Sequence, residues 1–262
     1  MGSATTQALA ATTSALEAAP GVDLGVAREL FAAVRTLAGS SQLSGALSDA
    51  SAPAQARQQV VTSVFAGYSP ATVAVLHAAV AERWSSVDDL LSGVEEAGIR
   101  AAAIAQPSVD VEAELFAVAR TIAANPELEL ALGSRLGDAS AKGALIEKLL
   151  VGRASEPTVL ITSSLAQLPR ERRVRSMLSR ALRIVADQRG RTVATVFAAS
   201  ALTEEQTTRL ERTLAGRYGT DVSLNVVIDP AVVGGVRIEI GDDVIDATVS
   251  SRLGDLRHRL AG

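Results

Sequence analysis

The sequence predicts a mainly α protein with a small α/β C-terminal domain: two consecutive six-helix-bundle-like units, then a mixed four-stranded sheet with two helices. Three observations carry that expectation. Apolar residues recur at helical spacing up to about residue 190 and at alternate positions after it. A segment around Glu29 returns, nearly letter for letter, around Glu114. Residues are 48% apolar but only 3% aromatic, with much alanine, which favours closely packed helices over a sheet-dominated core.

In the helical part, residues 22–39 place Leu30, Phe31, Val34 and Leu37 on one stripe, with Arg28, Glu29 and Arg35 elsewhere. Short helices are expected near 41–48, 53–66 and 70–84, then a longer one over 86–105. Gln106-Pro107-Ser108 interrupts the pattern. A helix restarts near residue 109, with Asp110 and Glu112 close to its positive end. Helices follow near 112–125, 127–135, 140–151 and 156–168. Over 171–189, Val174, Met177, Leu178, Ala181, Ile184 and Val185 form a buried face, and Gly190 ends the helix.

After Gly190 the period becomes two. Thr192 to Ala198 reads as a strand rich in Val and Thr. Thr203 caps a helix and Gln206, three residues on, reaches back; that helix runs to about Tyr218. Val222 to Ile228 is the next strand, and a crossover of this length pairs parallel. Asp229-Pro230 and Gly234-Gly235 make a turn, because Pro230 fixes φ and the glycines accept angles a Cβ forbids. Val236, Ile238 and Ile240 then alternate with Arg237 and Glu239, Gly241-Asp242-Asp243 turns the chain, and Val244-Ile245 returns. A last helix from Val249 to Leu260 aligns Val249, Leu253, Leu256 and Leu260.

The repeat reads as follows. Glu29-Leu30-Phe31-Ala32 reappears as Glu114-Leu115-Phe116-Ala117 and Arg35-Thr36 as Arg120-Thr121, at a spacing of 85; Leu43 pairs with Leu128. After a four-residue offset, Leu47 to Ser51 matches Leu136 to Ser140. Alanine-rich helices do resemble one another by composition, but phenylalanine is rare here, and duplication is the expectation. The chain then divides into a first bundle (1–106), a second helical unit (107–190) sharing helix 86–105, and an α/β domain (191–262).

Composition removes several function classes. With no cysteine, disulfides, cysteine nucleophiles and thiolate metal sites are absent, and two histidines, His77 and His258, argue against a histidine cage. Residues 1–106 carry a net charge of −4 and the remainder none, which argues against nucleic-acid binding. No apolar run reaches the ~18 residues of a membrane span, and residues 1–20 lack the basic start of a secretory signal.

Each candidate for chemistry has a simpler structural reading. Gly137 to Gly143 lacks the order of a phosphate loop and reads as a loop capped by Ser140. Gly234-Gly235 is a turn, since no helix N-terminus follows it. Asp242, Asp243 and Asp246 lack the spacing of a calcium loop, and Asp246 stabilises the start of the last helix. His77 is a packed or partly exposed histidine, His258 favours a helix C-terminus, and Trp84 packs at a helix junction. Arg170, Arg172, Arg173, Arg175, Arg180 and Arg183 read as a solvated face first and as a docking surface for an acidic helix second. No cofactor, metal or catalytic residue is expected.

The segment from Asp229 to Asp246 also resembles a family signature: Asp-Pro, three residues, Gly-Gly, a strand, Gly-Asp, a short strand, Asp, then a helix. It is similar to the C-terminal motif of the delta subunit of F-type ATP synthases, called OSCP in mitochondria. The positions that match it are Asp229, Pro230, Gly234, Gly235, Gly241, Asp242, Asp246, Arg252 and Leu253, with Ala247 and Thr248 where the family has glycine and serine. Asn125-Pro126-Glu127-Leu128, Lys142 to Ile146 and Ala199 to Thr203 also resemble the family, so the likeness runs from about 112 to 262. The additional helical unit resembles extended delta subunits of actinobacteria.

The resemblance implies a stator without catalysis. Such a subunit belongs to the peripheral stalk of a proton-translocating complex on the cytoplasmic side of the cell membrane. It links the N-terminal segments of the alpha subunits to b-type stalk helices and resists rotor torque. Partners are then proteins, with no nucleic acid and no direct membrane insertion. A generic helical-repeat scaffold, or an enzyme whose sheet domain holds a nucleotide, are the alternatives.

Overall fold

Short polar side chains set the helix starts. Asp23, Ser40, Ser69, Ser86 and Asp110 each precede a helix and accept a hydrogen bond from a backbone N–H of its first turn, satisfying a donor that has no intrahelical partner. The computed structural model describes residues 2–133, 138–170, 172–241, 243–251 and 253. Contacts divide the chain into two units, Met1–Val185 and Ala186–Gly262.

The helices of the first part are α1 (Ser3–Ala18), α2 (Leu24–Ala38), α3 (Ser41–Ser48), α4 (Ala54–Val64), α5 (Pro70–Ala81) and α6 (Val87–Ala105). They are followed by α7 (Val111–Ala123), α8 (Pro126–Gly133), α9 (Ala139–Leu150), α10 (Glu156–Gln167) and α11 (Val174–Gln188). The sequence pattern gives no bounds for α1, whose alanines and threonines offer little polar contrast, yet Ala8 and Leu16 are fully buried. The apolar face read for α11 is buried throughout, from Val174 to Val185.

The two sets of helices repeat. Helices α2 to α6 begin at residues 24, 41, 54, 70 and 87, and α7 to α11 begin at 111, 126, 139, 156 and 174. Packing repeats as well: α1 on α5 becomes α6 on α10, α2 on α3 becomes α7 on α8, and α4 on α5 becomes α9 on α10. Helix α6 therefore holds, in the second set, the place α1 holds in the first. It touches α1, α2, α3 and α5 on one side and α10 on the other. Its residues are buried without a break from Gly93 to Ala103, as expected of a helix enclosed around its circumference.

The four-residue offset in the sequence match does not survive. Asp49 stands at the C-terminal end of α3, whereas Asp138 is the N-cap of α9. Structural equivalence keeps the spacing near 85, with α4 starting at 54 and α9 at 139. The cap of α9 is also Asp138 and not Ser140: the Asp138 carboxylate accepts from the Ser140 N–H at 2.9 Å and its hydroxyl at 2.8 Å.

The second unit holds β1 (Arg191–Ala198), α12 (Glu204–Tyr218), β2 (Asp221–Ile228), β3 (Val236–Ile240) and β4 (Asp243–Asp246). Strand order is β2-β1-β3-β4, with β1 parallel to β2 and antiparallel to β3, and β3 antiparallel to β4. Thr203 and Gln206 form the reciprocal capping box at the start of α12, and Gly219 ends it at φ 72°. Ala194, Val196, Leu214, Val222, Ile238 and Ile240 make the core between this helix and the sheet. Of the last expected helix, Val249–Ser251 and Leu253 are helical; Leu256, His258 and Leu260 lie outside the described residues.

Candidate functional site

The glycine turn is built by what it touches. Asp229 donates its N–H to the Ala198 carbonyl at 2.9 Å, and its carboxylate accepts from the Ala231 N–H at 2.9 Å, so Pro230 sits at the corner of a closed turn. Gly234 and Gly235 have φ of 67° and 76°. A Cβ on Gly235 would stand 2.3 Å from the Ala247 carbonyl oxygen, so this position excludes a side chain by space as well as by conformation. The segment it meets is held in place: the Ala247 N–H donates to Val236 and the Val249 N–H to Gly234, at 3.0 and 3.1 Å. Gly241, at φ 57°, turns β3 into β4.

Asp246 acts one step further back than the sequence suggests. Its Oδ1 accepts from the Thr248 N–H at 2.9 Å and hydroxyl at 2.7 Å, and these bonds hold its carboxyl below the ordinary range. Thr248 Oγ1 in turn accepts from the Ser251 N–H at 3.2 Å, so Thr248 is the residue that caps the last helix. The spacing of Thr248 and Ser251 carried that signal in the sequence. Leu253 is exposed, and Asp242 and Arg252 lie outside the described residues.

Neither reading of the arginine group fits most of its members. Arg172 grips Glu95 of α6 through two hydrogen bonds of 2.7 Å each. Arg180 reaches Glu95 at 3.3 Å and Glu96 at 2.9 Å, and Arg170 bonds Ser92 at 3.0 Å. Burial pulls the Arg170 guanidinium down and Glu95 opposes that shift. These three side chains serve an internal ion network around two buried glutamates. Arg175 pairs with Glu129 at an exposed 3.0 Å contact, and Arg173 and Arg183 face solvent. The two glutamates sit in an apolar helix that gives no hint, from sequence alone, of which face meets the arginines.

Trp84 is buried at the junction of α5 and α6 and donates its indole N–H to the Ala79 carbonyl at 2.7 Å. His77 is half-buried with Nε2 2.9 Å from the Thr62 hydroxyl. The Thr62 hydroxyl is also committed to the Gln58 carbonyl of its own helix at 3.0 Å, a helix-surface contact. Among the described residues no group of three or more histidines and carboxylates is placed to hold a metal ion.

Two apolar depressions mark the helical unit. One, of about 550 Å³, lies along α1 and α5 and is lined mainly by small residues, among them Ala15, Ala18, Ala19, Ala71 and Ala74, with Asp23 and Val26 at the start of α2. The other, of about 230 Å³, lies among α7, α8 and α9 and is lined by larger ones, chiefly Val118, Ile122, Leu128, Ile146, Leu149 and Leu150. In the sheet unit, Ile228, Val233, Val244, Val249 and Leu253 are exposed large apolar residues. Surfaces of this kind accept apolar faces of other chains and perform no bond chemistry.

Comparison with known proteins agrees with that inventory. A sequence profile of the ATP synthase delta (OSCP) subunit family matches residues 95–260. The ATP synthase subunit delta of Leifsonia xyli subsp. xyli is 48% identical over 264 residues, covering all of both chains. That of Beutenbergia cavernae is 38% identical, covering 90% of this chain and 89% of the relative. That of Nocardioides sp. is 40% identical, covering 90% and 87%. A chain in a structure of the Toxoplasma gondii mitochondrial ATP synthase hexamer matches with a TM-score of 0.39 and 19% identity, over 64% of this chain and 97% of that one. On the profile match and the full-length relative, this chain belongs to the ATP synthase delta (OSCP) subunit family, a family of structural stator subunits and not of catalytic ones.

Proposed function

We propose that this chain is the peripheral-stalk subunit that ties the head of a proton-translocating F-type ATP synthase to its b-type stalk helices. The helical part receives N-terminal segments of the alpha subunits, and the sheet unit grips the stalk. The head is thereby kept from turning with the rotor. The observation that carries this reading is the groove along α1 and α5. Its alanine lining lets another helix approach closely and bury its apolar stripe. Nanomolar holding corresponds to about 12 kcal/mol, within reach of one or two interfaces of standard size.

The exposed apolar residues of the sheet unit, Val233, Val244, Val249 and Leu253, support a second contact there. Asp229, Pro230, Gly234, Gly235, Gly241 and Asp246 serve that contact structurally, by fixing the turn that carries Val249. In this reading the chain comprises a first bundle, a second one sharing α6, and the sheet domain. Among the described residues no helix is long and apolar enough to cross a membrane. Attachment to the cytoplasmic face of the cell membrane then comes through the complex.

The test is made on the assembled enzyme. Ala74→Trp, which fills the groove, weakens retention of the head by at least about tenfold while leaving the stalk bound. Removing residues 192–262 releases the stalk and leaves the head bound. Stalk retention by the shortened chain would overturn the division of labour.

A further inference from the structure

The cavity among α7, α8 and α9 has a counterpart in the first set of helices, and the comparison shows what is missing from it. The turn after α4 is closed by the Tyr68 N–H on the Phe65 carbonyl at 3.0 Å; the turn after α9 is closed by the Arg153 N–H on the Leu150 carbonyl at 2.9 Å. In the first set these two positions form an aromatic pair, with ring centroids 5.1 Å apart. Phe65 is among the largest fully buried side chains of the molecule. Tyr68 is half-buried; burial and the Glu29 carboxylate of α2 push its hydroxyl up, and Arg35 of α2 opposes that shift. In the second set the connector from Leu150 to Ala154 contains no aromatic residue, and the space between α7 and α9 is a cavity of about 230 Å³.

We propose that this cavity is a docking site for a partner helix that inserts one aromatic side chain, with a carboxylate about one turn away from it. Three observations select that occupant. The first set shows that an aromatic residue is what this fold accommodates at the end of the fourth helix. The volume falls below the roughly 300–1,000 Å³ of small-molecule pockets and suits a single side chain. Charge supplies the third. Arg153 stands exposed at the mouth, and among the described residues no carboxylate pairs with it. Glu114, the acidic residue of the lining, is already engaged by Ser155 at 2.9 and 2.6 Å. The mouth therefore presents a cation to an incoming chain. Leu145, Leu149 and Val151 are exposed beside it and offer an apolar ledge for the rest of the helix. This site is separate from the α1–α5 groove and does not depend on which subunit occupies that groove.

Two measurements test it. In the first, p-cresol, a stand-in for the aromatic side chain, is titrated onto the full chain while the methyl signals of Ile122 and Ile146 are followed by NMR. Saturable shifts are expected. The double variant Leu150→Phe with Arg153→Tyr, which restores the aromatic pair of the first set, abolishes them. Should that variant fail to fold, Thr121→Trp blocks the mouth from the surface of α7 and has the same effect. In the second, p-benzoylphenylalanine is placed at position 145 in the assembled enzyme and irradiated. The expected product is a cross-link to an aromatic-bearing helix of another subunit, reduced at least about tenfold by Thr121→Trp. Absence of p-cresol shifts overturns the proposal, as does a cross-link formed only to a second copy of this chain or not at all.

Discussion

Glu114 holds the start of α10 by the contacts through which Glu29 holds the start of α5. Glu29 Oε2 accepts from the Ser69 N–H at 3.0 Å, the Ser69 hydroxyl at 2.7 Å and the Thr72 hydroxyl at 2.5 Å. Glu114 Oε2 accepts from the Ser155 N–H at 2.9 Å and hydroxyl at 2.6 Å, with Thr158 alongside. Each carboxylate sits on the second helix of its set and reaches the fifth, so it ties distant segments while facing a helix N-terminus. In both cases burial pushes the carboxyl up, and the hydroxyl and backbone bonds more than offset it, leaving the group below its ordinary range.

The sign of the pH dependence follows. A carboxyl depressed in the folded state contributes stability above its unfolded value of about 4.3, and that contribution is lost as pH falls through the folded value. Glu29→Gln and Glu114→Gln each lower stability by about 1–2 kcal/mol at pH 7, through lost charge-assisted bonds at a helix start. Urea titrations of the parent and the variants should converge as pH is taken below about 4. A gap that widened on acidification would contradict the assignment.

The buried ion network gives a larger effect. Glu95 has a side chain only 3% exposed and meets Arg172, Arg180 and Arg170. Glu95→Ala removes the shared anion and leaves guanidinium groups partly buried without it, a loss of about 3–5 kcal/mol. Arg172→Lys keeps the charge but loses the paired geometry and costs less. Guanidinium denaturation of the full chain measures both. A Glu95→Ala loss under about 1 kcal/mol would show that the network is open to water.

What the sequence revealed and what it hid divide along physical lines. The β3 alternation and the Thr203–Gln206 capping box are local signals, and both elements form where those signals place them. The repeat was legible where a rare residue marked it, at Phe31 and Phe116, and was misaligned at Asp49 and Asp138, where common loop letters were matched. The pairing of Glu95 with Arg172 was hidden because it joins residues 77 apart in sequence, one on α6 and the other in the connector before α11. The groove along α1 and α5 was hidden for another reason: alanine reads as helix former whether it faces a core or a partner.

Substitution at the glycines of the sheet unit separates space from conformation. Gly190 and Gly235 both have positive φ, 68° and 76°, but a Cβ on Gly190 meets nothing within 4 Å. Gly190→Ala should cost about 1–2 kcal/mol from conformation alone. Gly235→Ala adds a collision with the Ala247 carbonyl oxygen at 2.3 Å, and about 1–3 kcal/mol more. Hydrogen exchange at the Ala247 and Val249 amides, which bond across the turn, should accelerate in Gly235→Ala and stay unchanged in Gly190→Ala.

The only tryptophan of the chain makes the junction of α5 and α6 directly observable. A Cβ built on Gly93 would stand 2.1 Å from Trp84 Cη2 and 2.7 Å from Cζ3, so the outer edge of the indole's six-membered ring meets the bare backbone of α6. The ring is rigid, and its N–H is committed to the Ala79 carbonyl. Gly93→Ala therefore forces the ring out or the helices apart, an overpacking cost of about 1–3 kcal/mol. Emission should shift to longer wavelength and acrylamide quenching should rise as the indole gains water. Gly98→Ala serves as the comparison. Its Cβ would meet the Phe31 ring at 3.3 Å, a contact that a small shift relieves, and Trp84 emission should remain that of the parent. Because α6 belongs to both sets of helices, displacement at Gly93 should also weaken protection in α10, which packs on the same helix. An unchanged spectrum in Gly93→Ala would show that the indole rests somewhere other than on α6.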